Sequence, residues 1–146
     1  MKIAIASDHA GFEQKQKIFE HLIECGHEVI DLGPKDNSRV DYPDFAKSVA
    51  QAVSNENVDC GLLLCGTGIG MSICANKIKG VRASNVTNPN FAKLSRVHNN
   101  ANILCLSGRF VSIETNIECV DVFLETKFEG GRHNERIRKM MELEKC

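Results

Sequence analysis

The stretch LLLCGTGIG at positions 62–70 joins a run of leucines to a cysteine and three alternating glycines. The apolar run extends back to Cys60 without alternation, which is typical of a parallel β-strand covered on both faces. Glycines at 66, 68 and 70 allow a sharp turn and a close approach of the backbone to a ligand. The pattern predicts a buried strand that opens into a loop and a helix, with Cys65 at the junction.

Strand-like and helical segments alternate along the rest of the chain. Four further strands are predicted at 3–7, 28–33, 81–86 and 102–107, and helices are predicted at 11–25, 43–53, 70–78, 89–98, 112–125 and about 133–145. This alternation predicts an α/β protein with a three-layer, doubly wound (Rossmann-like) architecture. We expect five parallel strands in the order 2-1-3-4-5, helices on both faces, and a single domain over 1–146.

Composition and charge argue against several classes of partner. The 146 residues include 18 Lys+Arg and 19 Asp+Glu, a net charge of -1, with no basic block and no acidic tail. Neither a nucleic-acid surface nor a membrane surface is indicated. No segment approaches the ~20 apolar residues of a membrane span, and the N-terminus is typical of a strand rather than a signal peptide. We expect a soluble, cytoplasmic protein.

The seven cysteines do not form a recognisable framework. Their number is odd, their positions are scattered, and neither a C-x-x-C pair nor zinc-type Cys/His spacing occurs. We expect reduced thiols and no metal site. Most of them are expected to be small buried hydrophobic side chains, namely Cys25, Cys60, Cys74, Cys105 and Cys119.

Two distant segments meet in the predicted sheet. Strands 1 and 3 are neighbours whose helices leave on opposite faces, so a crevice opens beyond their carboxyl ends. Asp8 and His9 follow strand 1, and Cys65 and Thr67 follow strand 3. Asp8 alone is equally well explained as a helix cap. Its expected position beside Cys65 favours a functional role.

The loop CGTGIG is a candidate anion hole. Its glycines allow successive N–H groups to point inward at the start of the next helix. A helix N-terminus also favours the thiolate form of a cysteine, which is the form that acts as base or nucleophile. Cys65 is therefore the candidate catalytic residue of this loop.

Several interpretations of this loop compete. A dinucleotide fingerprint needs G-x-G-x-x-G and a later acidic residue, but the spacing is G-x-G-x-G and the next strand ends in Ser84 and Asn85. A cysteine phosphatase needs an arginine around the phosphate, and 66–74 contain none. A phosphocysteine carrier of sugar transport fits locally, although its loop usually follows the first strand. General base catalysis on a small phosphorylated substrate and a purely structural glycine turn also remain open.

A basic segment near the C-terminus could hold a phosphate. EGGRHNERIRK (129–139) places Arg132, Arg136 and Lys139 at helical spacing after two glycines. Arginine forks suit phosphate oxygens. A solvated charged face with Glu135 as partner explains the same pattern.

His98 and Asn99 close the fourth predicted helix, just before strand 5. A single histidine there is commonly a surface residue. Histidine nevertheless suits acid–base chemistry on a sugar ring near neutral pH.

Six motifs, in order and spacing, together resemble the type B ribose-5-phosphate isomerases of the ribose/galactose isomerase superfamily. This superfamily also includes galactose-6-phosphate isomerase subunits and allose-6-phosphate isomerases. The resemblance covers the whole chain. The motifs are SDHAG (7–11), DYPDFA (41–46), CGTGIG (65–70), ANKIKGVRA (75–83), HNNAN (98–102) and GGRHNERI (130–137).

The resemblance implies a metal-free and cofactor-free aldose–ketose isomerase of the pentose phosphate pathway. It would interconvert ribose 5-phosphate and ribulose 5-phosphate through a cis-enediolate. Cys65 matches the base that moves a proton between C1 and C2, and Thr67 matches a group beside the substrate oxygens. One subfamily uses a Glu at the position of Met71, which cannot accept a proton here. The amides expected to form the anion hole are those of the loop residues Gly66, Gly68, Ile69 and Gly70.

The resemblance also implies an active site shared between two subunits of a homodimer or homotetramer. His98 of the neighbouring subunit would open the sugar ring, with Asp8 nearby to orient or exchange the proton. The phosphate would be contacted by His9, Arg132 and Arg136 of one subunit and by Arg109 of the other. Asn99 and Tyr42 match groups that line the sugar, and His133 receives no assignment. Six-carbon sugar phosphates remain alternative substrates.

Overall fold

The computed structural model describes residues 1–145, which form one five-stranded parallel sheet with helices on both faces. Cys146 lies outside the described residues. The strands are β1 (Lys2–Ser7), β2 (Glu28–Asp31), β3 (Cys60–Cys65), β4 (Ala83–Asn85) and β5 (Ile103–Ser107). The helices are α1 (Phe12–Glu24), α2 (Tyr42–Ser54), α3 (Ile69–Ala75), α4 (Pro89–Asn99), α5 (Ile113–Glu125) and α6 (Arg132–Glu142), followed by a 3₁₀ turn (Leu143–Lys145).

The strand order is β2-β1-β3-β5-β4. The α/β class and the parallel, doubly wound sheet are confirmed, but the predicted order 2-1-3-4-5 is wrong for the last two strands. The cause lies in their composition. All residues of β5 are buried, whereas the three-residue β4 carries Ser84 and Asn85 and is only partly covered. The apolar strand occupies the interior of the sheet, and the short polar strand forms its edge.

The helices form two layers that match this order. Apolar side chains of α1, α4 and α5, among them Ile18, Ala92 and Val120, pack on one face of the sheet. Residues of α2 and α3, among them Val49 and Met71, pack on the other. Because β5 returns between β3 and β4, α4 lies in the same layer as α1, which is the arrangement of right-handed crossovers.

A buried charge joins α1 to the end of β2. Lys15 is completely buried, and its Nζ lies 2.8 Å from both Oδ1 and Oδ2 of Asp31 and 2.8 Å from the carbonyl oxygen of Pro34. The ammonium group is therefore fully hydrogen-bonded, as a buried charge requires. This contact fixes the loop that leads from β2 towards α2.

The cysteine predictions are confirmed in part. Cys60, Cys105 and Cys119 are buried and all described cysteines are free thiols. Cys74 is only partly buried. Cys25 is exposed, which corrects the expectation for that residue: it caps the C-terminus of α1, where the chain turns outward at Gly26.

Candidate active site

The carboxyl ends of three central strands meet at one edge of the sheet. In the register, Ser7 of β1 faces Leu64 of β3, and Cys65 faces Ser107 of β5. The amide of Asp8 donates to the carbonyl of Leu64 over 3.0 Å. Asp8 and Cys65, nearly sixty positions apart in sequence, therefore share the predicted crevice.

The sulfur of Cys65 points into the glycine loop. Its Sγ accepts a hydrogen bond from the amide of Gly68 over 3.1 Å, and the residue is 5% exposed. The thiol is thus almost completely buried at the start of the loop, at the edge of an apolar cluster of the core.

Position 68 requires glycine for two independent reasons. Its φ of +79° lies in the left-handed region, and a Cβ there would stand 2.8 Å from Oδ1 of Asn85 and 3.0 Å from the carbonyl oxygen of Leu106. Only glycine fits both the backbone conformation and the space. The loop is therefore held in one shape by its own sequence and by two neighbouring strands.

Carbonyl groups of the loop are held by residues at the carboxyl ends of β4 and β5. Gly108 N donates to the carbonyl of Cys65 over 2.8 Å, and Ser107 Oγ donates to that of Gly66 over 2.7 Å. Asn85 Nδ2 donates to the carbonyl of Thr67 over 3.3 Å. The sequence did not single out Ser107 or Asn85 as site residues, because their contacts depend on the strand order.

The amides of the loop are only partly available to an anion. Gly68 N is bound to Cys65 Sγ, and Ile69 N donates to Thr67 Oγ1 over 3.2 Å. Within residues 1–145, the amides of Gly66, Thr67 and Gly70 have no protein acceptor. The predicted anion hole is therefore narrower than the full loop, and the exposed side chain of Ile69 lies outside it.

Asp8 caps the turn before α1 and keeps one oxygen unused. Oδ1 accepts from the amides of Ala10 at 2.8 Å and Gly11 at 3.1 Å, while Oδ2 has no hydrogen bond to the described residues. The carboxylate is 6% exposed. The capping interpretation is thus correct for one oxygen, and the other remains available to a ligand.

A cleft of about 450 Å³ opens beside this edge, lined by His9, Lys17 and Arg109 among others. Arg109 lies across Gly66, where an added Cβ would stand 3.4 Å from its Cδ. His9 and Arg109 of one protomer therefore line the same cleft, whereas the sequence analysis assigned their phosphate contacts to different subunits. Lys17 adds a cation that the sequence analysis missed.

The side-chain amides of half-buried Gln14 and buried Asn116 position the segment that carries Arg109. Gln14 Nε2 donates to the carbonyl groups of Gly108 at 3.2 Å and Val111 at 2.9 Å. Asn116, completely buried, donates to Gln14 Oε1 at 2.6 Å and to the Ser107 carbonyl at 2.8 Å. The loop after β5 is thus held from both sides.

Tyr42 lies against the start of α3. A Cβ on Gly70 would stand 2.7 Å from the Tyr42 ring, so the ring covers the helix where the glycine loop ends. Tyr42 is 39% exposed, in reach of a ligand in the crevice. Met71, by contrast, is completely buried, in the same apolar cluster as Cys65. We call Asp8, His9, Tyr42, Arg109 and the loop 65–70 the cysteine half-site.

A second group of predicted residues lies elsewhere. The rings of His98 and His133 stack with centroids 4.6 Å apart and planes inclined by 21°. Arg132 and Arg136 are exposed on α6, one turn apart. In the described chain neither forms an ion pair, since Glu135 pairs with Arg138 and Lys139 instead. We call this group the histidine half-site: His98, Asn99, Arg132, His133 and Arg136.

The two half-sites of one chain lie at opposite ends of the sheet. Arg96 lies one turn before the end of α4 and is close to Cys60, at the start of β3. Its charge lowers the pKa of Cys60 slightly, but burial has the larger effect and raises that pKa to about 12. Cys65 is at the other end of β3, about 16 Å away for five strand residues. One protomer therefore does not bring His98 to its own Cys65.

His98, Glu129 and His133 form a cluster that the sequence did not predict. Each offers one ligand atom, and these atoms lie within 4.8 Å of one another. The Gly-Gly turn after Glu129, with φ values of +71° and +56°, folds this loop back beside α4. No spacing in the sequence signals this cluster, because the three residues come from two helices and a loop.

None of the helices within residues 1–145 is both long and apolar enough to cross a membrane.

Comparison with known proteins agrees with this geometry. The model of the Ribose/Galactose Isomerase family matches residues 3–140. The chain belongs to the ribose/galactose isomerase family. Relatives in this family include the probable ribose-5-phosphate isomerase B of Mycoplasma genitalium, 51% identical over 98% of this chain and 95% of that protein. Ribose-5-phosphate isomerase B of Escherichia coli is 46% identical over 98% and 96%.

Solved structures of the family share the fold throughout. Ribose-5-phosphate isomerase B of Clostridium thermocellum superimposes with a TM-score of 0.98 at 48% identity, covering 99% of this chain and 98% of that one. The Mycoplasma genitalium enzyme, solved with bound ribulose-5-phosphate, gives a TM-score of 0.94 at 51% identity, with coverages of 99% and 96%. The resemblance found in the sequence motifs is confirmed.

Proposed function

We propose that this protein is an aldose–ketose isomerase that interconverts ribose 5-phosphate and ribulose 5-phosphate in the cytoplasm. The observation that carries this proposal is the Cys65 sulfur within a loop of unsatisfied amides, beside a cationic cleft that contains His9 and Arg109. A base, an oxyanion site and a phosphate site are the parts that this reaction requires. Relatives at 46–51% identity carry the same name for this activity.

The first chemical step is ring opening. The C1–O4 bond of the furanose breaks, a proton leaves the O1 hydroxyl, and a proton reaches O4, which produces the open-chain aldehyde. We assign this proton transfer to His98 of the neighbouring subunit, with the unused oxygen of Asp8 as the orienting or exchanging group.

The second step moves hydrogen between carbons. The Cys65 thiolate takes the C2 proton, and the electron pair left behind forms the C1–C2 double bond while O1 becomes an oxyanion. The amides of Gly66, Thr67 and Gly70 stabilise that charge. Return of the proton from Cys65 to C1, with transfer of the O2 proton to O1, yields the ketose. Thr67 Oγ1 accepts a bond from Ile69 N, so its hydroxyl hydrogen is available to a substrate oxygen.

The phosphate would lie between cations of the two half-sites. His9 Nδ1 accepts a 3.4 Å bond from Val40 N, which leaves Nε2 to donate into the cleft near Arg109. Within residues 1–145, neither Arg132 nor Arg136 has an ion-pair partner on its own chain, so both are available from the neighbouring subunit. Arginine forks bind phosphate oxygens in pairs, so these four groups suit a dianion. Asn99 of the neighbour and Tyr42 would line the sugar.

The distance between the half-sites supports a homodimer, alone or paired into a tetramer. Exposed apolar side chains near the site support this, with Ile69 55%, Ile73 57%, Phe91 56% and Phe110 77% exposed. Large exposed apolar side chains of this kind are common at protein contacts. In a dimer, each cysteine half-site would meet the histidine half-site of the other chain.

Mixing two inactive variants tests this arrangement. Cys65→Ala and His98→Ala homodimers each lack one half of every site. Random exchange makes half of the dimers heterodimers with one intact site of two, so activity should return to about a quarter of wild type. Absence of recovery, with subunit exchange shown by native mass spectrometry, would contradict the shared site.

The substrate and the reaction class need separate tests. Side-by-side kcat/KM values for ribose 5-phosphate, allose 6-phosphate and galactose 6-phosphate measure the preference for sugar length. A phosphocysteine carrier, the alternative outside the isomerases, predicts a phosphorylated Cys65 in mass spectra and no deuterium transfer from D₂O into the sugar. An isomerase gives an unmodified thiol and deuterated product.

A further inference from the structure

His133 carries a buried nitrogen without a hydrogen bond. The residue is 4% exposed, and its Nε2 is one of three buried side-chain polar atoms without a partner in the described chain. Oε2 of Glu129 lies 3.3 Å from this nitrogen, but the bond geometry is poor. A buried polar atom of this kind ordinarily has a partner, so its presence points to a missing ligand.

The groups around this nitrogen suit a transition metal. Ligand atoms of His98, Glu129 and His133 lie within 4.8 Å of one another. Two imidazoles and one carboxylate are a common donor set for Zn²⁺, which leaves a fourth position for water or an exchangeable ligand. Soft ions that prefer thiolate ligands, and hard ions that bind only oxygen ligands, fit these two imidazoles and one carboxylate less well.

We propose that His98, Glu129 and His133 form a binding site for a zinc-class divalent cation. A cation bound there prevents His98 from transferring the proton in ring opening. The inhibitory effect, though not the metal binding, rests on the role of His98 in the proposed function. Nothing in the isomerase reaction requires this metal.

Binding needs a small rearrangement of the cluster. Ligand atoms about 2.0–2.1 Å from one ion stand closer together than those of the empty cluster. An imidazole binds an ion in its own ring plane, so two stacked rings cannot both coordinate. His133 is fixed by burial, whereas His98 is half-buried at the end of α4 and Glu129 is exposed. His98 must therefore turn out of the stack, and Glu129 must close over the ion.

The rearrangement explains how the metal would inhibit. Once its nitrogen holds the ion, His98 can no longer exchange a proton with a sugar bound to the neighbouring subunit. The cationic Arg132 next to His133 lowers the affinity for a second cation. We therefore expect reversible binding that competes with sugar phosphate, rather than a permanent structural ion.

Metal binding is measured without reference to activity. In a Cys25→Ser/Cys65→Ser protein, which removes two accessible or reactive thiols, Zn²⁺ titration calorimetry and visible absorption of the Co²⁺ complex should show one site per chain. Glu129→Gln and His133→Ala should each weaken binding by at least about tenfold. Glu125→Gln, an exposed carboxylate on α5, is the matched control and should bind as the parent does. Weak, unsaturable binding, or binding unchanged by Glu129→Gln, would overturn the site; Glu129 is exposed, so that variant should fold.

Activity then tests the consequence in the wild-type cysteine background. Zn²⁺ should inhibit isomerisation, a chelator should restore it, and Glu129→Gln should need at least about tenfold more Zn²⁺ than Glu125→Gln. Inhibition that is equal in both variants would place the inhibiting ion elsewhere, such as at Cys65, and would overturn the inhibitory role. Saturable binding in a protein without any isomerase activity would support the metal site and contradict the proposed function.

Discussion

The amide of Gly68 donates a hydrogen bond to the sulfur of Cys65 over 3.1 Å, in a loop whose conformation at position 68 only glycine can adopt. This contact joins the fold to the chemistry. The loop shape places an N–H donor on the sulfur, and within the described residues it leaves the amides of Gly66, Thr67 and Gly70 without an acceptor, as the proposed oxyanion site needs. A change in the conformation of this loop should therefore affect catalysis before it affects the core.

Gly68→Ala tests that dependence. The new Cβ would meet Asn85 Oδ1 at 2.8 Å and the backbone of Leu106 at 3.0 Å, in addition to the strain of φ +79°. We expect a loss of more than about 2 kcal/mol in unfolding free energy and at least about a tenfold fall in kcat/KM. Gly80→Ala is the matched control: its φ is +82°, but the nearest atom lies 3.8 Å away. It should lose about 1 kcal/mol and keep its activity. Equal effects of both variants would argue against the loop as the sensitive element.

The contact of Tyr42 with Gly70 predicts that Gly70→Ala has opposite effects on stability with and without the Tyr42 ring. Gly70 lies inside α3, where alanine is favoured over glycine by about 0.5–1 kcal/mol, but its Cβ would stand 2.7 Å from the Tyr42 ring. Gly70→Ala should destabilise the wild type and stabilise a Tyr42→Ala background. Urea denaturation of the four proteins measures the coupling. Effects that simply add would show that the ring does not pack on this glycine.

The buried pair of Lys15 and Asp31 predicts that removing one partner destabilises the protein more than removing both. Asp31→Ala leaves the fully buried ammonium of Lys15 without its carboxylate, so we expect a loss of about 3 kcal/mol, at the lower end for buried pairs because Asp31 is 31% exposed. Adding Lys15→Met should recover part of that loss by removing the charge. Glu28→Gln, in the exposed pair with Lys2, should change stability by less than about 0.5 kcal/mol. A double variant no more stable than Asp31→Ala would contradict the argument.

Thiol labelling should follow burial and pKa. Burial raises the pKa of Cys60 to about 12 and that of Cys119 to about 11, so both remain neutral thiols at pH 8 and react slowly. Iodoacetamide followed by peptide mass spectrometry should find exposed Cys25 labelled first. Partly buried Cys74 and buried Cys65 should react more slowly, and sugar phosphate should slow the labelling of Cys65 but not that of Cys25. Early labelling of Cys60, or no protection of Cys65, would be inconsistent with this structure.

Much of the fold follows from local patterns in the sequence. The continuous apolar run that ends at Cys65 predicts a buried strand, and β3 has those bounds. Pro89 and the glycine at position 26 mark helix ends that the structure retains. These signals are local, since each depends on backbone preferences of a few residues. The order of the last two strands was predicted wrongly, although the polar Ser84 and Asn85 of β4 favour an edge position.

The error in strand order also concealed part of the site. With β5 beside β3, the loop after β5 reaches the glycine loop, and Ser107 and Arg109 contact Gly66. An order with β4 between them would have kept these residues apart. The cluster of His98, Glu129 and His133 was equally hidden, because its members meet only through the packing of α4 and α6. Side chains at strand ends could be predicted, but contacts between distant loops depend on topology.

The most direct test concerns the hydrogen that moves between C2 and C1. With ribose 5-phosphate in D₂O, NMR measures both product formation and deuterium at the transferred position. The account predicts that Cys65→Ala lowers both rates by at least about 10²-fold while it still binds the sugar phosphate, and that Cys25→Ala behaves as wild type. A Cys65→Ala protein that transfers this hydrogen at the wild-type rate would contradict the assignment of Cys65 as the base.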